Sequence, residues 1–330
     1  MENTGEGRIA RPPKVYLDTN HLINIAKSRA GEKLQGQSSE TYLFIDEYVR
    51  KHCGLIFSWT SPLEWVEGDA TEKSANAIAA IFESVKLVYM IEGDTFVYTR
   101  EVLDECKRQN TERVVPQFDM MHIWNDGGSF RSALGVLGST IPGYVEKDVL
   151  SSSVQNQKDI SEVVPVVSFP NLIKEHFKYK KRNLAIYEER VKGFNESLQY
   201  DIDHAEEFFA NSSYFITEWF KRHLKIDRIL LALNPGIDVN EVLNTLDIEK
   251  CPAVKLFIHT REKRLRDKSP PKDNDVDDWF FLPVIPYADL VLTDRNFRHF
   301  ILQGDNSLQS KVFADASEAA QALKNLSPSW

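Results

Sequence analysis

Two short apolar runs, each stopped by an aspartate, constrain this chain most. Val15-Tyr16-Leu17 runs into Asp18, and Leu290-Val291-Leu292 runs through Thr293 into Asp294. Each run is followed by apolar residues at helical spacing: Leu22, Ile23 and Ala26 after the first, Phe297 and Phe300 after the second. Strands alternating with helices predict an α/β protein with a parallel sheet flanked by helices. In such sheets ligand sites form at the carboxyl ends of the strands. Asp18 and Asp294 are therefore expected on one edge, and Glu64 lies shortly after a third apolar run, Leu55-Ile56-Phe57.

The remaining pattern fills out that architecture. Helices are expected over 40–52 and 74–84, an extended segment over 85–91, a short strand over 311–313 and a final helix over 316–326. Ser61-Pro62-Leu63-Glu64 opens a helix, with proline at its first position, where the missing N–H costs nothing. Residues 125–170 are rich in Gly, Ser, Pro and Val, with an exposed loop over 148–158, and residues 171–266 have mostly helical spacing. The expected organisation is a disordered lead-in over 1–13, an α/β domain made of 14–94 and 249–330, and a large, mostly helical insertion or cap over 95–248.

Charge and cysteine usage exclude some partners. The 330 residues carry a formal net charge of −9, so nucleic acid is not held by bulk charge and any such binding rests on local basic patches. Cys53, Cys106 and Cys251 are odd in number and widely spaced, which argues against a disulfide framework or a zinc cluster and for a reducing compartment. No apolar signal core stands near Met1 and no run is long enough to span a bilayer, so the expectation is a cytoplasmic protein without membrane attachment.

Each acid has an ordinary explanation. Asp18 and Asp294 suit helix N-caps, and Ser61 with Glu64 forms a capping box. Asp273, Asp275, Asp277 and Asp278 crowd the first turn of a helix, where the dipole favours carboxylates. So many like charges repel unless a cation lies between them. Hard oxygen donors of this kind suit Mg²⁺ or Mn²⁺.

The motifs also resemble those of a known family. Tyr16-Leu17-Asp18-Thr19-Asn20 resembles the first motif of PIN-domain nucleases, and Ser61-Pro62-Leu63-Glu64 resembles their second. Their C-terminal block is closely resembled by Asn274 through Asp278, Ile285 through Asp289 and Leu292 through Phe297, the most specific of the three matches. The resemblance covers roughly 14–90 and 250–325 and leaves the middle without a counterpart. It implies a PIN-like sheet and metal-dependent hydrolysis of phosphodiester bonds, usually in RNA. Asp18, Glu64, Asp278 and Asp294 would be catalytic and hold Mg²⁺ or Mn²⁺, with Asp275 as an accessory ligand. Asn20 and Thr293 would orient those acids. A homodimer is compatible with the family, and no protein partner is indicated.

For the nucleic acid, Lys255, Lys263 and Arg266 share a helical face with His259 and lead toward Asp275. Such side chains would contact phosphates without reading sequence; the plainer explanation is a solvated helix face. Walker, dinucleotide-binding and nucleophile-elbow motifs are absent. Aspartyl phosphatases place Asp-x-Asp after the first strand, whereas the second position here is Asn20. Two alternatives stay open: a structure-specific DNA nuclease, and a non-catalytic RNA-binding or interaction protein on a PIN-like scaffold.

Overall fold

The computed structural model describes residues 12–58, 65, 71–85, 87–91, 94–109, 121–126, 129–131, 166–167, 174, 177–233, 236–270, 279 and 281–326. At its centre lies β1 (Lys14–Leu17), paired in parallel with β2 (Gly54–Ser58) on one side and β7 (Leu290–Leu292) on the other. Beyond β2 comes β3 (Leu87–Ile91), and beyond β7 comes β8 (Val312–Phe313), both also parallel.

Alternation along β1 divides the core in two. Val15 and Leu17 enter one apolar cluster, and Tyr16, between them, enters the other. Successive side chains of a strand point to opposite faces, so a central strand covered on both sides reads as an unbroken apolar run.

On the first face lie α1 (Thr19–Arg29), α2 (Ser39–His52) and α3 (Glu72–Ser84). In α2, Tyr42, Ile45 and Val49 recur at helical spacing and are 0–2% exposed. Ser38 caps α2 through the Thr41 amide, and Thr71 with Ser74 forms a reciprocal capping box at α3. Arg29 ties the three helices together: its guanidinium donates to both Asp46 oxygens at 2.8 and 2.6 Å and to Ser84 Oγ at 2.7 Å.

The second face carries α4 (Asp94–Gln109), whose Val97, Tyr98, Val102 and Leu103 join the cluster of Tyr16. The sheet then continues past β3 through three antiparallel strands: β4 (Met121–Asp126), β5 (Ser129–Arg131) and β6 (Val166–Val167). Its order is β6-β5-β4-β3-β2-β1-β7-β8. The expected parallel sheet flanked by helices is present, and these antiparallel strands extend it. The added strands pair the otherwise open edge of β3, and an unpaired edge is a template for aggregation.

Helices follow: α5 (Lys180–Asp203), α6 (Ala205–Ala210), α7 (Ser212–Arg222), α8 (Ile226–Leu233), α9 (Val239–Asn244) and α10 (Pro252–Asp267). Phe220, Leu230 and Leu243, from the middle of the chain, share the apolar cluster of Tyr16 and Val291. Proline opens α10, but Cys251 gives that helix no side-chain cap. The cap comes from α4: the buried Glu101 carboxylate accepts from the amides of Ala253 at 2.8 Å and Val254 at 2.9 Å, and from the Tyr287 hydroxyl. Two of the amides that a helix start leaves without partners are thereby satisfied across 152 and 153 residues of chain.

Last come α11 (Arg295–Gly304), on the second face, and α12 (Ala316–Asn325), on the first. Gly304 lets α11 approach α10: a Cβ there would stand 2.1 Å from Thr260 Oγ1 and 2.9 Å from a Leu256 methyl. Among the described residues no helix is long and apolar enough to cross a membrane.

Candidate metal centre at the strand ends

The helix after β1 covers the first face and the helix after β7 covers the second, although the two strands are neighbours. The chain therefore diverges between them, and the crevice outside their carboxyl ends is where open α/β sheets bind ligands. Asp18 and Asp294 stand there.

Asp18 occupies the N-cap position of α1 but makes no side-chain cap bond. Its backbone amide donates to Leu292 O at 2.9 Å. Its carboxylate instead crosses to β7, where Oδ2 accepts from Thr293 Oγ1 at 3.1 Å and from the Asp294 amide at 3.3 Å. Thr293 is fully buried and Asp18 is 9% exposed. Burial raises the Asp18 carboxyl above the usual carboxylate range; His21 opposes that rise, and the neighbouring charge of Asp294 adds to it.

Asp294 does cap its helix. Its Oδ1 accepts from the amides of Asn296 at 2.6 Å and Phe297 at 2.9 Å. Among the described residues its Oδ2 accepts no hydrogen bond, so that oxygen remains a donor atom for a cation.

Beneath the two acids lies His21, buried to 4% exposure. Its Nε2 lies 3.0 Å from Thr293 O and its Nδ1 2.8 Å from Tyr42 Oη. A carbonyl can only accept, so Nε2 carries a proton. Burial holds the ring below the usual imidazole range, favouring the neutral form, and the Tyr42 hydroxyl beside Nδ1 donates to Gln37 Oε1 at 2.5 Å. Asn24 then donates to Gln37 Oε1 at 3.1 Å and to Tyr42 Oη at 3.2 Å. With both ring nitrogens engaged, the imidazole is no ligand; it fixes the end of β7 against α1.

Of the sequence-predicted residues, Asp18, Thr293 and Asp294 are brought together. Asn20 is exposed and makes no hydrogen bond among the described residues. Glu64, Asp275 and Asp278 lie outside the described residues. Among the described residues no group of three or more His, Cys, Asp or Glu gathers to hold a metal ion. The proposed phosphate face is already partnered: Lys255 pairs with Glu249 at 2.6 Å, Lys263 with Asp267 at 3.0 Å, and Arg266 stands 4.3 Å over the Phe209 ring.

Sequence reasoning passed over two residues. His21 follows Asp18 by three positions, a spacing that puts both on one side of the first helical turn. Asp315 follows Val312-Phe313 as Asp18 follows its own run, and its charge acts on both His21 and Tyr42. Its Oδ1 caps α12 through the amides of Ser317 and Glu318.

No protein-family model matches this chain, and no curated protein or solved structure matches it either.

Proposed function

We propose that this protein is a metal-dependent nuclease of the PIN type that hydrolyses phosphodiester bonds, with single-stranded RNA as its substrate class. One observation carries the reading: two carboxylates 276 residues apart in sequence meet at the switch point of a parallel sheet, and one of them is buried, uncapping and raised in pKa beside the other. A structural aspartate would cap its own helix. This one is held by Thr293 and by the Asp294 amide, which keeps it beside Asp294, where the two would share an ion.

The donor set suits a hard divalent cation such as Mg²⁺ or Mn²⁺, because the groups offered are carboxylate oxygens and the nearby imidazole is occupied. Asp18 and Asp294 would hold it, with Glu64, Asp278 and the accessory Asp275 completing the set. When bound, the ion supplies a nucleophile at neutral pH and charge stabilisation for the phosphate. The chain itself does the positioning. Thr293 and the Asp294 amide orient Asp18, the two cap bonds orient Asp294, and His21 locks the strand end that carries both.

The test is cleavage of a mixed-sequence single-stranded RNA in Mn²⁺ by the wild type and by Asp294→Asn, with single-stranded DNA in parallel. Asparagine preserves the helix cap, so folding is retained. Cleavage of RNA by the wild type alone supports the reading. Equal cleavage by both proteins, or none in wild type on either substrate, sinks it; cleavage of DNA alone replaces RNA as the substrate class.

A further inference from the structure

A cavity of about 230 Å³ lies away from the strand ends, between α5, α7 and α10. Phe208, Phe215, Trp219 and Phe257 give it aromatic walls, and two ion pairs, Asp201 with Arg261 and Glu218 with Arg222, contribute to its polar lining. Trp219 and Phe257 stack on each other, with ring centroids 4.6 Å apart and planes 20° apart. Drug-sized ligands occupy roughly 300–1,000 Å³; this space suits a single ring system.

Arg261 is the unusual group. Burial pulls its guanidinium down to about 10. Among the described residues it has one ionic partner, the Asp201 carboxylate, and it stands 5.8 Å from the Phe257 ring centroid. Both side chains of the pair keep 18% of their surface exposed. A guanidinium has five N–H donors, and one carboxylate does not satisfy them all. Arg261 lines the cavity with part of its side chain open, so a ligand that brings acceptors to its remaining donors and a flat apolar body to the rings fits the space.

We propose that this cavity takes a nucleobase, guanine first, turned out of a single-stranded nucleic acid. Arginine pairs in bidentate fashion with guanine O6 and N7, and unstacked bases of single strands are held on aromatic side chains. An aromatic side chain of a peptide would fill the walls but bring no acceptor edge. A phosphate would bring acceptors and gain nothing from four rings. Placement agrees with the proposed chemistry. Leu256 and Thr260 of α10 meet Gly304 at the end of α11, and Arg264 stands 5.2 Å over Phe300 one turn earlier in α11. The carboxyl half of α10, which carries Arg261, therefore runs toward Asp294. The inference rests on the nuclease reading only for the source of the base.

The experiment titrates the full chain, without metal, with the 5′-monophosphates of guanosine, adenosine, cytidine and uridine, and with inorganic phosphate. The readout is the Trp219 indole N–H signal, assigned by its loss in Trp219→Phe. The guanosine nucleotide is expected to move that signal and to bind about tenfold tighter than the uridine nucleotide. Arg261→Lys keeps the ion pair and loses the fork, so it is expected to weaken guanosine binding about tenfold with melting unchanged. Silence of Trp219 toward all four nucleotides, the same shift from phosphate alone, or equal affinities indifferent to Arg261→Lys would overturn the proposal. RNA cleavage measured on the same sample separates the two readings: cleavage without base binding retires the cavity alone, and base binding without cleavage retires the nuclease alone.

Discussion

Two buried carboxylates, Glu101 and Asp18, are treated in opposite ways. Glu101, 7% exposed, receives two helix amides and the Tyr287 hydroxyl. Asp18, 9% exposed, receives the Thr293 hydroxyl, the Asp294 amide at 3.3 Å and the amide of Thr19, and faces a second carboxylate. The first is spent on joining α4 to α10. The second is held in position with its charge only partly answered. Proteins tolerate such unanswered charge mainly where a ligand is meant to answer it.

The comparison can be broken most forcefully at Glu101. Replacing it with Ala strands two amides and a phenol in the core and is expected to cost about 3 kcal/mol, read as a lower urea midpoint at unchanged slope. A loss below about 0.5 kcal/mol would show that α10 does not depend on this cap. Next in size is Gly304→Ala. Its Cβ would overlap Thr260 Oγ1 at 2.1 Å, so α11 must shift, at a cost of about 2 kcal/mol. Because Asp294 starts α11, cleavage should fall more than the lost stability explains; unchanged kcat with lowered stability would show that the site is insulated from this contact.

The smallest effect has the opposite sign. A raised carboxyl pKa means that the folded protein favours the protonated acid, so its contribution to stability is full below 3.8, the usual value, and is lost as pH rises through the folded value. Asp18→Asn removes that loss. At neutral pH without metal the variant should melt about 2 °C above the wild type, while Mn²⁺ should raise the melting temperature of the wild type and not of the variant. A variant less stable than the wild type at pH 7, with the same metal shift, would put Asp18 in the same structural category as Glu101.

What could be read from the sequence follows from how far apart the interacting residues lie. β1 and β7 were legible because a strand buried on both faces needs apolar residues at every position, and Val15-Tyr16-Leu17 and Leu290-Val291-Leu292 supply them. The helices over 39–52, 72–84, 295–304 and 316–325 were legible from local periodicity, with Asp294 legible as the cap of one of them. Asp18 and Asp294 could be placed together because both stand at strand ends, whereas Thr293 was expected beside the acids only from the resemblance. His21 was missed because its partners, Tyr42 and Thr293, lie 21 and 272 residues away. The Glu101 cap was missed for the same reason, and β4 to β6 because short strands in a stretch of mixed composition carry no long periodic signal. Glu64, Asp275 and Asp278 fall outside the described residues.

The pairing of β1 with β7 also sets a schedule. Loop closure over so long a span makes this among the last contacts a chain can form. During synthesis Asp18 emerges early and Asp294 late, and domains assemble only from what has left the ribosome. The two carboxylates cannot meet while the chain is still short of Leu290. If the proposed activity holds, the protein stays inert as a nascent polypeptide, with its own messenger RNA close by, and acquires its centre only when the central strand finds its second neighbour.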